Sequence, residues 1–235
     1  MFQYYGSKKI LSELYPPPKF AEIIEPFAGS AQYSLRYFDR DVMLIDKYDK
    51  IINVWKWLQK CTANDILKLP RFKKGEKLQD LKYLSNEERD YLGFIIRYAM
   101  VQPAKTVSQT ALKNRPNRIA YLLNVAAESL FKIKHWNIIC GDYRLAENRN
   151  ATWFIDPPYQ RGGHCYKWSN KHIDYGELAT WCQTREGQII VCENEGADWL
   201  PFRNFVKVRG IKSHKMELIY TREKFYYQQS LFYGV

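Results

Sequence analysis

Four residues in the second half of the chain carry the groups needed to hold a planar amine. Directly after an apolar run from Thr152 to Ile155 come Asp156, Pro157, Pro158 and Tyr159. The run predicts a buried strand, and the two prolines cannot continue a hydrogen-bonded ladder, so the strand ends at Asp156. In open α/β sheets, ligands bind at this carboxyl end of the strands. A carboxylate, a rigid carbonyl and an aromatic face suit a planar base with an exocyclic amine.

A strand, a glycine turn and a helix follow one another near the amino end. The apolar pair Ile23-Ile24 precedes Glu25-Pro26-Phe27-Ala28-Gly29-Ser30-Ala31, and the next helix is expected to carry on one face Ala31, Leu35 and Phe38. Such a unit lets a ligand approach the backbone and the helix amino end. Val42 to Ile45 predicts the next strand, which ends at Asp46, where a ribose diol is gripped in such folds. Taken alone, an ordinary tight turn and a helix-capping Asp explain these residues better.

Further elements continue the α/β pattern and position a second acid at the same edge. A strand is predicted from Asn137 to Cys140, and it ends at Gly141-Asp142-Tyr143. The glycine-hinged loop from Gln160 to Trp168 is either a lid over the site or a long surface loop. A short helical stretch around Leu11 and Leu14 ends at Pro16. Other helices are predicted around Ile51 to Leu58 and Tyr175 to Cys182, and other strands at Gln188 to Cys192, Phe205 to Val208, Met216 to Thr221 and Gln229 to Tyr233.

The composition changes between about Asn64 and Ile133, where strand signals are few and two helical patterns occur, Glu87 to Met100 and Ile119 to Phe131. This segment is predicted to be a helical insertion. The polar loop between its helices carries residue types that contact phosphates and base edges. The candidate DNA contacts are Lys105, Gln109, Lys113, Arg115, Asn117 and Arg118. A solvated polar loop explains the segment equally well.

The bulk properties limit the class of protein. A net charge of +11 makes a polyanionic partner plausible, although a solvated basic surface would give the same charge. Five scattered cysteines without a Cys-x-x-Cys pair favour reduced thiols and argue against a metal site. No basic-then-apolar signal opens the chain, and no apolar run has membrane-spanning length. We therefore expect a soluble, cytoplasmic protein that binds neither a metal nor a membrane.

In the order of its motifs, the chain resembles DNA adenine-N6 methyltransferases of the Dam type. The motifs are Tyr4-x-Gly6-Ser7-Lys8, Glu25 to Ala31, Asp46, Gly141-Asp142-Tyr143 and Asp156-Pro157-Pro158-Tyr159. Five elements in family order are far more specific than any one of them. The family usually has a second glycine where this chain has Ala31, and Gly-Gly-Lys where it has Gly6-Ser7-Lys8.

The resemblance implies a Rossmann-like α/β methyltransferase fold with a mostly parallel seven-stranded sheet, an antiparallel carboxyl-terminal hairpin and the helical insertion. Residues 1–62 and 135–235 would form the catalytic domain, and residues 63–134 would recognise the DNA target. The resemblance implies S-adenosylmethionine as the cofactor and double-stranded DNA as the partner. It also allows for a cognate restriction endonuclease as a further partner. Asp156 to Tyr159 would be catalytic, and the cofactor would be bound by Tyr4, Gly6, Lys8, Glu25, Phe27, Gly29, Asp46, Asp142, Tyr143 and Asp156.

Three other functions share most of these features. Cytosine-N4 methyltransferases generally carry Ser at the position of Asp156, and protein-glutamine methyltransferases carry Asn, so the Asp favours adenine. A DNA-binding or regulatory module could keep the fold without turnover. The intact set of Lys8, Gly29, Asp46 and the Asp156 motif argues against such a loss of activity.

Overall fold

Seven strands form one mixed sheet in the computed structural model, which describes residues 1–72, 75–97, 100–107, 117–209 and 214–224. The strands are β1 Glu22–Glu25, β2 Asp41–Asp46, β3 Asn137–Cys140, β4 Ala151–Ile155, β5 Gly187–Asn194, β6 Arg203–Arg209 and β7 His214–Lys224. Their order is β3-β2-β1-β4-β5-β7-β6. The first five run parallel, whereas β7 runs antiparallel between β5 and β6. The predicted Rossmann-like methyltransferase sheet with an antiparallel hairpin is confirmed.

The helices cover both faces of this sheet. They are α1 Gln32–Arg36, α2 Asp49–Lys60, α3 Ala63–Leu67, α4 Asn86–Ile96, α5 Arg118–Ser129 and α6 Tyr175–Thr184. Short 3-10 turns lie at Leu11–Glu13, Leu78–Asp80, Leu130–Ile133, Tyr143–Leu145, Gly163–Cys165 and Asn170–His172. None of these helices of the described chain is long and apolar enough to cross a membrane.

All five residues of the central strand β4 are buried, and all but Thr152 are apolar, as expected for a strand covered on both faces. Phe154 points to the side where α2, α4 and α5 pack, and it stacks on Tyr33 with ring centroids 4.3 Å apart. Trp153 and Ile155 point to the opposite side, where Trp181 of α6 packs edge-on against Trp153. This alternation fixes the direction of β4, and with it the place where Asp156 leaves the sheet.

The helical segment shares a core with the first strands and α2. Tyr91 of α4 lies 5.2 Å from Trp57 of α2, and Phe94 lies 5.5 Å from Phe2, measured between ring centroids. Ser85 and Glu88 form a capping box that starts α4, which satisfies its free backbone N–H groups. The segment therefore holds the amino-terminal residues, including Tyr4, against the edge of the sheet where the parallel strands end.

Several predicted boundaries need correction. The helix expected to include Ala31 and Phe38 spans only Gln32–Arg36, because Ala31 adopts left-handed backbone angles and Tyr37 leaves the helical region. The helix expected to reach Met100 ends at Ile96, since Arg97 is extended. Around Leu11 and Leu14 there is only a single 3-10 turn. The strand predicted from Gln229 to Tyr233 lies outside the described residues.

Candidate active site

Asp156 stands at the carboxyl end of β4, and an ammonium group from the amino-terminal segment lies directly against it. The turn at Gly6, whose φ is 75°, brings the Nζ of Lys8 to 2.7 Å from both carboxylate oxygens of Asp156. The same Nζ donates to the carbonyl of Gly6 at 3.2 Å. Lys8 is 7% exposed, so this ion pair is shielded from water and its geometry is tightly held.

Burial and the ion pair act in opposite directions on this carboxyl group. Burial raises the pKa of Asp156, and the neighbouring Lys8 only partly opposes the rise. Burial would lower the pKa of Lys8, but the charges of Asp156 and Glu217 outweigh burial and raise it. Lys8 is therefore a permanent cation, and Asp156 is an anion with increased affinity for a proton.

Glu217 is a member of this cluster that our sequence analysis missed. Its Oε1 accepts hydrogen bonds from the hydroxyls of Tyr15 at 2.9 Å and Tyr159 at 2.5 Å, and it lies 3.8 Å from the Nζ of Lys8. It comes from β7, which runs antiparallel, so its early residues lie beside the carboxyl end of β5, where Glu217 pairs with Asn194. An acid within the apolar run Met216 to Tyr220 was the available signal.

The proline pair of the motif is fixed by its surroundings. Pro157 is buried, and the carbonyl of Pro158 accepts a hydrogen bond from the Tyr175 hydroxyl at 2.5 Å. The Lys8 ammonium lies 4.9 Å from the centre of the Tyr159 ring. The predicted catalytic residues Asp156 to Tyr159 are thus held together, with Lys8 and Glu217 on the same side.

The glycine turn contacts Asp46 directly through its backbone. The backbone N–H of Gly29 donates to Asp46 Oδ2 at 2.9 Å, and that of Tyr48 donates to Oδ1 at 2.8 Å. Trp55 of α2 donates to the Gly29 carbonyl at 2.9 Å. Burial raises the pKa of Asp46 to about 6, with the two backbone N–H groups opposing the rise. The carboxylate is oriented and has unused lone pairs for a diol.

Glu25 ends β1 beneath the turn. Its Oε1 accepts a hydrogen bond from the Ser34 backbone at 2.7 Å, and burial raises its pKa to about 8. Ala31, at φ 44° and ψ 48°, occupies the left-handed region in which glycine is favoured. A glycine at this position would adopt the same backbone angles without strain.

These groups line one open pocket at the carboxyl edge of the sheet. Phe27 and Tyr143 stack on its wall with centroids 5.4 Å apart, and Asp142 is held there by Lys47 at 3.2 Å and Arg144 at 2.8 Å. Every predicted cofactor-binding residue lines this pocket: Tyr4, Gly6, Lys8, Glu25, Phe27, Gly29, Asp46, Asp142, Tyr143 and Asp156. Pro158 lines it as well.

The loop after the motif closes one side of the pocket. Tyr166 contacts the rings of Tyr4 and Tyr5, with centroids 5.8 and 5.7 Å apart, and its hydroxyl lies 3.3 Å from the Tyr5 carbonyl. Trp168 also lines the pocket, and Lys47 lies 4.7 Å from the centre of its ring. Of the two predictions for this loop, the contacts favour a cover over the pocket.

The candidate DNA contacts are only partly within the described chain. Lys105 and Asn117 are exposed, whereas Gln109, Lys113 and Arg115 lie outside the described residues. The guanidinium of Arg118 donates to the carbonyls of Ile95 at 2.7 Å and Ile96 at 3.3 Å, and it also bonds to the Gln3 side chain. Arg118 thus caps the carboxyl end of α4, and its contact with DNA remains a prediction.

Comparison with known proteins finds a likeness among solved structures, and that likeness is distant. No family model matches the chain. No curated protein matches it either. A solved structure titled "Putative methyltransferase yhhF from Escherichia coli" is 13% identical, with a TM-score of 0.37, and the match covers 92% of this chain and 81% of that one. A likeness at this level carries no information about the site. The methyltransferase fold rests on the order and direction of the strands described above.

Proposed function

We propose that the chain is a DNA adenine-N6 methyltransferase that uses S-adenosylmethionine. The observation that carries this proposal is the Asp156 carboxylate, fixed by Lys8 at 2.7 Å on the wall of a pocket that also contains Asp46 and the Gly29 turn. A carboxylate on the pocket wall, followed by two prolines and an aromatic ring, suits amine recognition better than hydride transfer.

The residues of the pocket fit an adenosyl cofactor. Asp46 would accept hydrogen bonds from the two ribose hydroxyls, because both of its oxygens are already oriented by backbone N–H groups. Phe27 and Tyr143 offer an apolar wall for a purine, and Asp142 lies next to them. When bound, S-adenosylmethionine would supply an electrophilic methyl group on a sulfonium.

Asp156 and Pro157 would orient the acceptor. The amino nitrogen of adenine is a poor nucleophile because its lone pair is delocalised into the ring. If Asp156 and the Pro157 carbonyl each accept one amino hydrogen, the lone pair is directed toward the pocket. The raised pKa of Asp156 also suits this carboxylate to accept the proton that the amine releases after it is methylated.

Tyr159 would provide the stacking surface for the base. Its ring is oriented by the hydrogen bond of its hydroxyl to Glu217, and the Lys8 ammonium lies 4.9 Å from the ring centre. A base inside a duplex cannot reach this buried edge and must be flipped out of the stack. The net charge of +11 favours binding to the DNA backbone, and residues 63–134 are the proposed target-recognition region.

Transfer of a labelled methyl group to unmethylated genomic DNA tests the proposal. After incubation with labelled S-adenosylmethionine, the DNA is digested and its nucleosides are separated. We expect the label in N6-methyladenine. Label in N4-methylcytosine would reassign the acceptor, and binding of the cofactor without any transfer to DNA would favour a protein acceptor or an inactive module.

A further inference from the structure

The pocket wall carries more carboxyl groups than cations although the whole chain has a net charge of +11. Of the Asp, Glu, Lys and Arg residues that line it in the described part of the chain, the acids are Glu25, Asp46, Asp142 and Asp156, and the cations are Lys8 and Lys47. Each cation is paired, Lys8 with Asp156 and Lys47 with Asp142. Neither lysine of the wall is therefore left unpaired to form an ion pair with a further carboxylate.

Glu217 is such a further acid. The Lys8 ammonium contacts both oxygens of Asp156 at 2.7 Å, and Glu217 lies beyond this pair, 3.8 Å from the same nitrogen. Two hydroxyl donors, Tyr15 and Tyr159, converge on its Oε1, an arrangement that suits a carboxylate. The cluster holds two formal negative charges and one positive charge.

An excess negative charge in a buried cluster is unfavourable unless another cation approaches it. Glu217 is 6% exposed, so water compensates little of this cost. Hydroxyl donors alone do not neutralise the charge. Asp156 of the same cluster lines the pocket, so a cation bound in the pocket would face this excess charge.

We propose that Glu217, through the Lys8–Asp156 pair, gives the pocket a preference for a cationic sulfonium over the neutral thioether of the product. This inference rests on the proposed function. In the reaction the S–CH₃ bond breaks and an N–CH₃ bond forms, and the methylated amine releases one proton that carries the positive charge away. The cofactor thus loses its charge at the sulfur, and the acidic cluster retains the product less strongly than the cofactor.

Calorimetric titration measures this preference without any DNA. The quantity is the ratio of the Kd of S-adenosylhomocysteine to the Kd of S-adenosylmethionine. Glu217→Gln keeps the shape and removes the charge, and we expect it to lower the ratio about tenfold, mainly through weaker binding of the cofactor. An amine analogue of the cofactor, which carries its positive charge on nitrogen, should weaken in the same way.

Glu223→Gln is the matched control. It lies on the same strand, changes the net charge by the same amount and is exposed, paired with Lys19 at 2.6 Å. We expect its ratio to stay within about twofold of the wild type because solvent screens exposed charges. If Glu217→Gln does not fold, Asp156→Asn removes one carboxylate from the same cluster and should lower the same ratio.

The outcomes separate the two proposals. Tight binding of both ligands by the wild type, with a ratio that a folded Glu217→Gln does not lower, would overturn the role of Glu217 and leave the proposed function standing. If Glu217→Gln does not fold, an unchanged ratio in Asp156→Asn would do the same. An equal fall in Glu223→Gln would also overturn it, since the effect would then be one of net charge. A wild-type chain that binds neither ligand would overturn both proposals.

Discussion

The buried carboxyl of Glu25 makes stability depend on pH in the direction opposite to that of most acids. Glu25 is 3% exposed at the end of β1, and burial raises its pKa from 4.5 to about 8 against the opposing hydrogen bond from Ser34. Glu25→Gln keeps an oxygen that can accept the Ser34 N–H and removes the titrating proton. The variant therefore isolates the effect of ionising one buried group.

The sign follows from the proton that Glu25 holds. Between pH 4.5 and 8 the folded chain keeps this proton, whereas the unfolded chain has released it. The free energy of unfolding therefore falls as the pH rises through this window, at up to ~1.4 kcal/mol for each pH unit. Because relaxation around a buried ion reduces such effects, we expect roughly 3 kcal/mol between pH 5 and pH 8 from this group.

Urea unfolding at pH 5 and pH 8, followed by tryptophan fluorescence, measures this contribution. The loss of stability between the two pH values should be smaller in Glu25→Gln than in the wild type by roughly 3 kcal/mol. Glu22→Gln, on the same strand but half-buried and paired with Arg149 at 2.6 Å, serves as the control and should keep the wild-type loss. An equal loss in Glu25→Gln and wild type would refute the reasoning.

Four further predictions concern backbone strain, methyl transfer, helix capping and the salt dependence of DNA binding. Ala31→Gly should keep the unfolding free energy within about 1 kcal/mol of wild type, because relief of the left-handed backbone conformation offsets the loss of the methyl group. As a control, Ala126→Gly, at a buried position within α5, should lower the unfolding free energy by about 2 kcal/mol in the same urea titrations. Asp156→Ala should lower labelled methyl transfer at least ~100-fold while gel-shift affinity for DNA stays within about threefold, and retained transfer would contradict the proposed role. Arg118→Ala should lower the unfolding free energy by about 1.5 to 3 kcal/mol, since it leaves the α4 carbonyls uncapped. Lys105→Ala should leave stability unchanged but make the salt dependence of DNA binding shallower by about 0.9, as measured by titrations at several salt concentrations.

Strands of the parallel part of the sheet were predictable because each is an apolar run with a clear end. Asn137 to Cys140 was predicted with the bounds that β3 has, and β4 begins one residue earlier than predicted. Continuous apolar runs that stop at a polar residue or a proline specify buried parallel strands and their carboxyl ends. The residues that meet at this edge, Asp46 and Asp156 among them, were found for the same reason.

Two features of the site could not be read from strand ends. Glu217 reaches the edge from the early residues of an antiparallel strand, and only the pairing of β7 with β5 reveals that direction. Tyr15 follows a short turn near the amino end, and its contact with Glu217 spans 202 residues of sequence. Long-range contacts of this kind depend on how the sheet is assembled and leave no periodic pattern.

The whole chain and the pocket wall differ in charge, and this difference suits the two binding tasks of the proposed enzyme, DNA and a cationic cofactor. The chain as a whole is basic, with a net charge of +11, which attracts the phosphates of DNA. The pocket wall carries more carboxyl groups than cations, and its two lysines are already paired with Asp142 and Asp156. A phosphate would be repelled from this wall, whereas a neutral base and a cationic cofactor would not. On the proposed function, the basic chain would hold the DNA backbone, and the pocket wall would keep phosphate away from Asp156 while the flipped base enters.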